Sequence, residues 1–316
     1  MDKIMDKPII IFDTDMDTDC DDAGAMAMLL QAHLAGKIEL VGVVADSLSP
    51  YAARFCEVML KHYGVDIPVG AVYESDYTGQ ERFDRYRTHS QRLTSKGILY
   101  NRYLSGGLEK RDGDYKRAKE LYRELLLAAE DNSVTVLCVG LMTAVAELLL
   151  TEGDESSPLS GAELFSKKVR RVVTMGIPEN VPDFNWGMDA HSAEVFFEKC
   201  HVPIDISPEG EEIITGATLS GRLGADHPLR RAYEIWLGKE SCGRASWDLV
   251  AALSAIDENT AVLEYRPLGA CRYVANETRL YIEGEPTDRH RLISTRNTAE
   301  EMADILNSYM LGDTYK

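Results

Sequence analysis

Six aspartates crowd the segment FDTDMDTDCDDAGAMAMLL near the start of the chain: Asp13, Asp15, Asp17, Asp19, Asp21 and Asp22. Carboxylates at this density repel one another. A hard cation such as Ca²⁺ or Mg²⁺, which takes oxygen ligands, makes the density favourable. The plainer reading is a solvated loop in which Asp19 or Asp21 caps the following helix, and a cap is expected in either case. A purely solvated run fits less well, because this one lies between two apolar elements.

Two other motifs share part of the spacing. Asp13, Asp15 and Asp17 alternate as in an EF-hand loop, but Thr18 stands where the turn glycine is needed and Gly24 where the bidentate Glu is needed. A strand followed by Asp-x-Asp also opens the aspartate-nucleophile phosphohydrolases, where Gly-Thr normally follows; here Met16 and Asp17 follow.

The elements that must hold these residues are readable from apolar spacing. Ile9 to Phe12 is a short β-branched run suited to a strand buried on both faces, and Ala23, Met26, Ala27 and Leu30 recur at helical spacing until Gly36. Strand Ile38 to Ala45, helix Tyr51 to Tyr63 and an extended Ile67 to Val72 follow. Glu74 to Asp114 is polar, rich in Arg and Tyr and without period, an excursion that suits a flap over a site. Beyond it the spacing predicts helix Tyr115 to Glu130, strand Val134 to Val139, helix Ala144 to Leu150, a surface loop Asp154 to Ser160 and strand Val169 to Met175. The final third reads as helix Ala190 to Lys199, an extended Pro203 to Ile206, and helices Leu229 to Leu237 and Asp248 to Ala255. Several short strands between Ala261 and Ile282 and a terminal helix Ala299 to Leu311 complete it. Such alternation predicts an α/β fold with a parallel sheet and helical crossovers. The loop leaving the carboxyl end of a strand is then where a ligand binds.

The acidic segment resembles the signature of the nucleoside hydrolases, a strand followed by Asp-x-Asp and, after a turn, Asp-Asp at the start of an Ala-rich helix. It is similar to a subset with Asp-Thr-Asp-Met, a turn two residues longer than in the best-known members, then Asp-x-Asp-Asp; Asp17 stands where that subset usually has Gly. Later segments agree in order. VTVLCVGLMTAV, from Val134, resembles the strand ending in Gly-Pro-Leu-Thr-Asn, with Thr143 as its Thr and Leu141 and Ala144 replacing Pro and Asn. VVTMG, from Val172, resembles the strand whose Met, here Met175, lies near the ribose; PDFN, from Pro182, resembles the acidic-Phe-Asn motif; SWDLVAAL, from Ser246, resembles the third metal motif. Singly, each has a plainer reading: Thr143 as a cap, Met175 as core, Asn185 as a turn residue, Asp248 as an N-cap.

The resemblance implies an open, mostly parallel (mixed) Rossmann-like sheet with helices on both faces, in one domain spanning residues 1–316. It implies Ca²⁺ held by Asp15, Asp22, Asp248 and the Thr143 carbonyl, with Asp15 as general base. Asp21, Asp183 and Asn185 would fix the ribose hydroxyls, joined by Asp46 and packed by Met175. Trp247 replaces the His that helps the leaving base accept a proton in the best-studied members, and it offers stacking instead. The implied activity is calcium-dependent hydrolysis of a ribonucleoside to ribose and free base, by a homodimer or homotetramer. A calcium-stabilised riboside-binding protein without turnover and, more distantly, a metal-dependent phosphohydrolase are the alternatives.

Bulk composition agrees. The 316 residues are 45% hydrophobic, enough for a substantial core. With 52 acidic against 34 basic residues the net charge is −18, which disfavours nucleic acid and anionic membrane as partners and favours a cation or neutral small molecule. The run Ile9 to Phe12 is too short for a signal-peptide core or a membrane span, so the expected location is cytoplasmic. Six scattered cysteines without a CxxC pair are expected to be reduced and mostly buried.

Overall fold

The computed structural model describes residues 7–16, 18–73, 100–111, 113–178 and 182–316. Residues 74–99 and 112 of the predicted excursion, and Asp17, lie outside them. Strands β1 (Ile9–Thr14), β2 (Glu39–Ala45), β3 (Val69–Ala71), β4 (Lys116–Arg117), β5 (Val134–Cys138), β6 (Val169–Met175) and β7 (Ile204–Ser207) are followed by a small pair, β8 (Ile214–Thr215) and β9 (Arg244–Ala245). Long strands β10 (Leu263–Val274), β11 (Arg279–Thr287) and β12 (His290–Thr295) come last.

Ten strands form one sheet in the order β11-β10-β12-β7-β6-β5-β1-β2-β3-β4. From β12 through β4 the neighbours are parallel, and β10 runs antiparallel to both β11 and β12. The mixed sheet is therefore parallel where the acidic loop leaves it. The chain moves outward from β1 to β4, then returns to the other side of β1 as β5. That reversal opens a crevice at the carboxyl ends of β1 and β5, the place where doubly wound sheets bind ligands.

Side chains of the central strands alternate between two apolar layers, as the period of two requires. Ile10, Phe12, Val43, Ala45 and Val173 join the layer formed with helices Asp21–Leu34, Ala52–Tyr63, Trp247–Ile256 and Ala299–Met310. Ile11, Val44, Val136, Cys138 and Val172 join the opposite layer, with helices Ala118–Ala128, Thr143–Leu149, Gly161–Lys168 and Ala190–Lys199. Helices thus cover both faces. Among the described residues no helix is long and apolar enough to cross a membrane.

The helix that opens with the aspartates is buried nearly all round, which explains its Ala, Gly and Met content. A Cβ on Gly24 would lie 2.7 Å from Tyr233 Oη and 2.9 Å from Leu249 Cδ1, so this helix and the one carrying Asp248 approach closely because position 24 has no side chain.

Several expectations need correction. Tyr115 to Glu130 shortens to a helix over Ala118–Ala128, because Lys116 and Arg117 pair as β4. Residues 161–168 form a helix not foreseen, opened by a capping box in which Ser160 accepts from the Glu163 N–H and Glu163 reaches back. The short strands expected between Ala261 and Ile282 are parts of two long ones. All six cysteines are free, five of them buried and Cys242 partly so.

Candidate active site

The site is assembled from β1 outward. Asp15 follows β1 directly in a tight turn: the Thr18 N–H donates to the Asp15 carbonyl at 3.1 Å, and Thr18 Oγ1 donates to Asp15 Oδ2 at 2.6 Å. The Thr14 hydroxyl donates to Asp22 Oδ1. Cys20 occupies the N-cap of helix Asp21–Leu34 and makes no side-chain cap bond. The predicted cap by Asp19 or Asp21 is therefore absent. Arg244 takes the Asp19 carboxylate, and Asp21 Oδ2 accepts the Asp248 N–H at 3.2 Å.

Carboxylate oxygens of Asp21, Asp22 and Asp248 lie within 4.8 Å of one another, all buried. Burial is the largest influence on each, and it holds their carboxyls well above the usual range. Neighbouring charge adds to it: Asp15 and Asp21 act on Asp22, and Asp21, Asp22 and Asp15 act on Asp248. The Asp248 N–H partly relieves Asp21. A buried, all-oxygen, mutually repelling donor set fits a hard cation. Asp21 stands in this triplet, while Asp15, buried beside it, acts on all three members through its charge.

Thr143 starts a helix behind Met142, which adopts a left-handed conformation at φ 69°. That is an unusual state for a side-chain-bearing residue, of the kind held at functional turns. Thr143 Oγ1 donates to Asp189 Oδ2 at 2.8 Å, which fixes the side chain at the start of this helix. A Cβ on Gly140 would lie 2.8 Å from the Asp15 backbone nitrogen, so the loop leaving β5 rests directly on the catalytic candidate.

Asp46 directly follows β2 and is fully buried, with the Leu141 N–H donating to its Oδ1 at 3.3 Å. Asp13, Asp46 and Cys138 form a second buried group within 4.8 Å. Tyr122 Oη donates to Asp13 Oδ2 at 2.5 Å, while Asp13 Oδ1 and Asp46 Oδ2 have no donor among the described residues. One retained proton shared by the two carboxyls satisfies both. Burial pushes Asp13 up to about 7 against its hydrogen bonds, and burial with the Asp13 charge pushes Asp46 well up. Burial likewise raises the Cys138 thiol, so it offers no ready thiolate to a metal.

Asn185 is brought to the same edge of the sheet, its Nδ2 donating to the Val139 carbonyl at 2.6 Å. Asp183 caps the short helix Phe184–Met188, and its two oxygens accept from the N–H groups of Trp186 and Ile177, both at 2.9 Å. Burial nevertheless lifts it to about 6. Met175 ends β6 half-buried against the core. Trp247 opens its helix half-buried, one residue before Asp248, with the Arg244 guanidinium carbon 5.1 Å from its ring centroid. The structure therefore gathers Asp21, Asp22 and Asp248 most tightly, with Asp15 acting on them through its charge, places Asp46 and Asn185 at the neighbouring strand ends, and sets Met175 and Asp183 one strand further out. Tyr122, Asp189 and Arg244 support these residues and carry no local sequence signal.

Solved nucleoside hydrolases and an effector protein share the fold. A plant nucleoside hydrolase, PpNRh1, superposes with a TM-score of 0.68 at 19% identity, over 96% of this chain and 99% of that one. An inosine-uridine preferring nucleoside hydrolase from Bacillus anthracis gives 0.64 at 18% identity, over 97% and 99%. The type III effector protein XopQ, complexed with adenosine diphosphate ribose, gives 0.69 at 14% identity, over 98% and 95%. No curated protein sequence matches. The family described as inosine-uridine preferring nucleoside hydrolase matches residues 10–300, which include the acidic loop, the Thr143 turn and Asp248. The chain is thus a member of the inosine-uridine preferring nucleoside hydrolase family, a family of N-glycosidases.

Proposed function

We propose that this protein is a calcium-dependent N-ribohydrolase that converts a ribonucleoside to ribose and free base, with Asp15 as its general base. The observation that carries this is the buried Asp21, Asp22 and Asp248 triplet beside Asp15, at the crevice where the strand order reverses. Asp15, Asp22, Asp248 and the Thr143 carbonyl would hold the cation. When bound, Ca²⁺ neutralises the carboxylates, orients the sugar hydroxyls and acidifies water.

Asp15 accepts a proton from the attacking water, whose oxygen bonds to the anomeric carbon as the carbon–nitrogen bond breaks. That bond's electron pair leaves on the base nitrogen, which takes up a proton from solvent. Positive charge builds on the sugar, and the surrounding carboxylates stabilise it. Asp21, Asp46 and Asn185, with Asp183 and Met175 alongside, fix the ribose; hydroxyls matched this way are read specifically, since an unmatched buried partner is costly. Trp247 provides an aromatic face for the departing base. The neighbour solved with adenosine diphosphate ribose supports a ribose-bearing small molecule as ligand. The working unit in this reading is one domain per chain, assembled as a homodimer or homotetramer.

A riboside-binding protein without turnover is the second reading, favoured by Trp247 at the position of the family's His. Ribose release from purine, pyrimidine and nicotinamide ribosides, with and without a calcium chelator, separates the two. Chelator-sensitive release supports hydrolysis; thermal stabilisation by ligand without release supports binding alone.

A further inference from the structure

Arg244 has no role in the reaction outlined above, yet its surroundings are built to hold it still. Its backbone lies in β9, paired antiparallel with β8 so that Thr215 stands opposite. Two residues on, just past the end of β9, Ser246 donates its N–H to the Gly210 carbonyl at 2.9 Å and shares a 2.8 Å hydrogen bond with the Thr215 hydroxyl. Gly210 itself sits at φ +144°, and a Cβ there would fall 2.4 Å from the Trp247 N and Cα atoms. Backbone therefore rests against backbone where the helix carrying Trp247 and Asp248 begins.

The side chain is equally fixed. Arg244 Nε reaches Asp19 Oδ1 at 3.0 Å and Oδ2 at 2.8 Å, and Nη2 completes a fork on the same carboxylate. Asp19 is pinned in turn, its Oδ1 accepting the Cys20 N–H at 2.6 Å. A forked guanidinium–carboxylate pair adds geometric specificity to its charge. The guanidinium lies over the Trp247 ring, 5.1 Å from its centroid, which is within cation–π range. Asp19 belongs to the turn of the acidic segment, so this turn holds the guanidinium that lies over Trp247.

We propose that Arg244 is a positioning residue: clamped by Asp19, it fixes the Trp247 indole as the stacking plate for the leaving group. With the guanidinium on one face, the other face receives a planar, neutral heteroaromatic base. The inference rests on the N-ribohydrolase reading and adds a positioning residue to it. The ion pair keeps the plate's outer side nearly neutral in net charge and restrains an indole that would otherwise explore rotamers. A base that must be stabilised as it departs needs the plate in place. A leaving group already activated by its own substituents does not.

The test compares inosine with 4-nitrophenyl riboside as substrates for the wild type, Arg244→Ala, Arg244→Lys and Asp19→Asn, all with calcium. The expected result is a fall of about tenfold in kcat/KM on inosine for Arg244→Ala, carried mainly by kcat, and less than about threefold on the nitrophenyl riboside. Asp19→Asn falls in the same direction and Arg244→Lys recovers part of the loss, while thermal stabilisation by calcium stays at the wild-type level in all three. Equal falls on both substrates, lost calcium stabilisation, or undiminished inosine turnover would each overturn the proposal. If the wild type cleaves neither substrate, the N-ribohydrolase reading fails first and takes this inference with it.

Discussion

The main-chain N–H of Asp248 donates to Asp21 Oδ2 at 3.2 Å, joining residues 227 positions apart in the chain. Asp21 opens one helix and Asp248 lies in the first turn of another, so two helix N-termini converge on one group of carboxylates. Their partial positive charge offsets some of the repulsion among the acids. A cation would supply the remainder.

Removing one member of the triplet should therefore separate metal binding from folding. Asp248→Asn is expected to fold, because the amide keeps the shape and relieves repulsion, and to lose more than about 100-fold in calcium affinity. Calorimetric titration of calcium into the variant, with circular dichroism as the folding control, checks both parts.

The pH dependence of stability follows from the same acids. Burial holds Asp183 at about 6 and Asp13 at about 7, and holds Asp21, Asp22, Asp46 and Asp248 well above their usual range. In the folded protein these carboxyls keep protons that the unfolded chain has already lost. Between their ordinary value of 3.8 and their raised values the folded state binds more protons, so stability falls as pH rises. Chelator-treated protein should melt at a higher temperature at pH 5 than at pH 8. Calcium should shrink that difference by stabilising the ionised triplet. A metal-free melting temperature that climbs from pH 5 to 8 would contradict this assignment.

Stability also has a test remote from the chemistry. Asp205 is fully buried between Arg171, at 2.6 Å, and Arg291, at 2.6 and 2.7 Å, while Arg171 Nη2 donates to the Ser254 carbonyl near the end of the Asp248 helix. Asp205→Ala leaves the nearly inaccessible Arg171 without this partner and should cost about 3–5 kcal/mol. Denaturant melts should show that loss, with kcat of the remaining folded enzyme close to wild type.

Close approach gives a further prediction. Gly140→Ala places a methyl 2.8 Å from the Asp15 nitrogen and 3.1 Å from the Thr14 carbonyl carbon, both backbone atoms that cannot swing aside. The turn holding Asp15 must shift, and a displacement of this kind at a reacting group costs on the order of 100-fold in rate. Steady-state kinetics of this variant should show the fall in kcat, with circular dichroism confirming retained secondary structure.

What was legible in the sequence was local. The strand, acidic turn and buried helix from Ile9 to Leu34 announce themselves because apolar period and charge change within a few residues. Asp15, Asp22, Thr143 and Asp248 lie in short motifs that resemble the family's, each following a strand or opening a helix. Long edge strands were less so: β10 alternates buried positions with exposed Glu264 and Arg272 and contains Pro267, breaking the apolar run into what looks like short pieces. The helix opened by the Ser160 capping box directly follows the hydrophilic stretch Asp154 to Ser160 and spans only two turns, too few for a clear apolar period. Supporting pairs had no sequence signature, because Tyr122–Asp13, Thr143–Asp189 and Arg244–Asp19 join residues 109, 46 and 225 positions apart. Such partners are chosen by topology, and only the folded sheet brings them together.

Asp15→Asn offers the most direct test of hydrolysis by this site. The variant keeps the size of the side chain and removes the proton acceptor. With calcium at saturation, ribose should still bind, measured by calorimetry, while ribose release from the best nucleoside substrate should fall by more than about 100-fold. Release at the wild-type rate from a variant that binds ribose normally would remove Asp15 from the reaction and contradict the proposed mechanism.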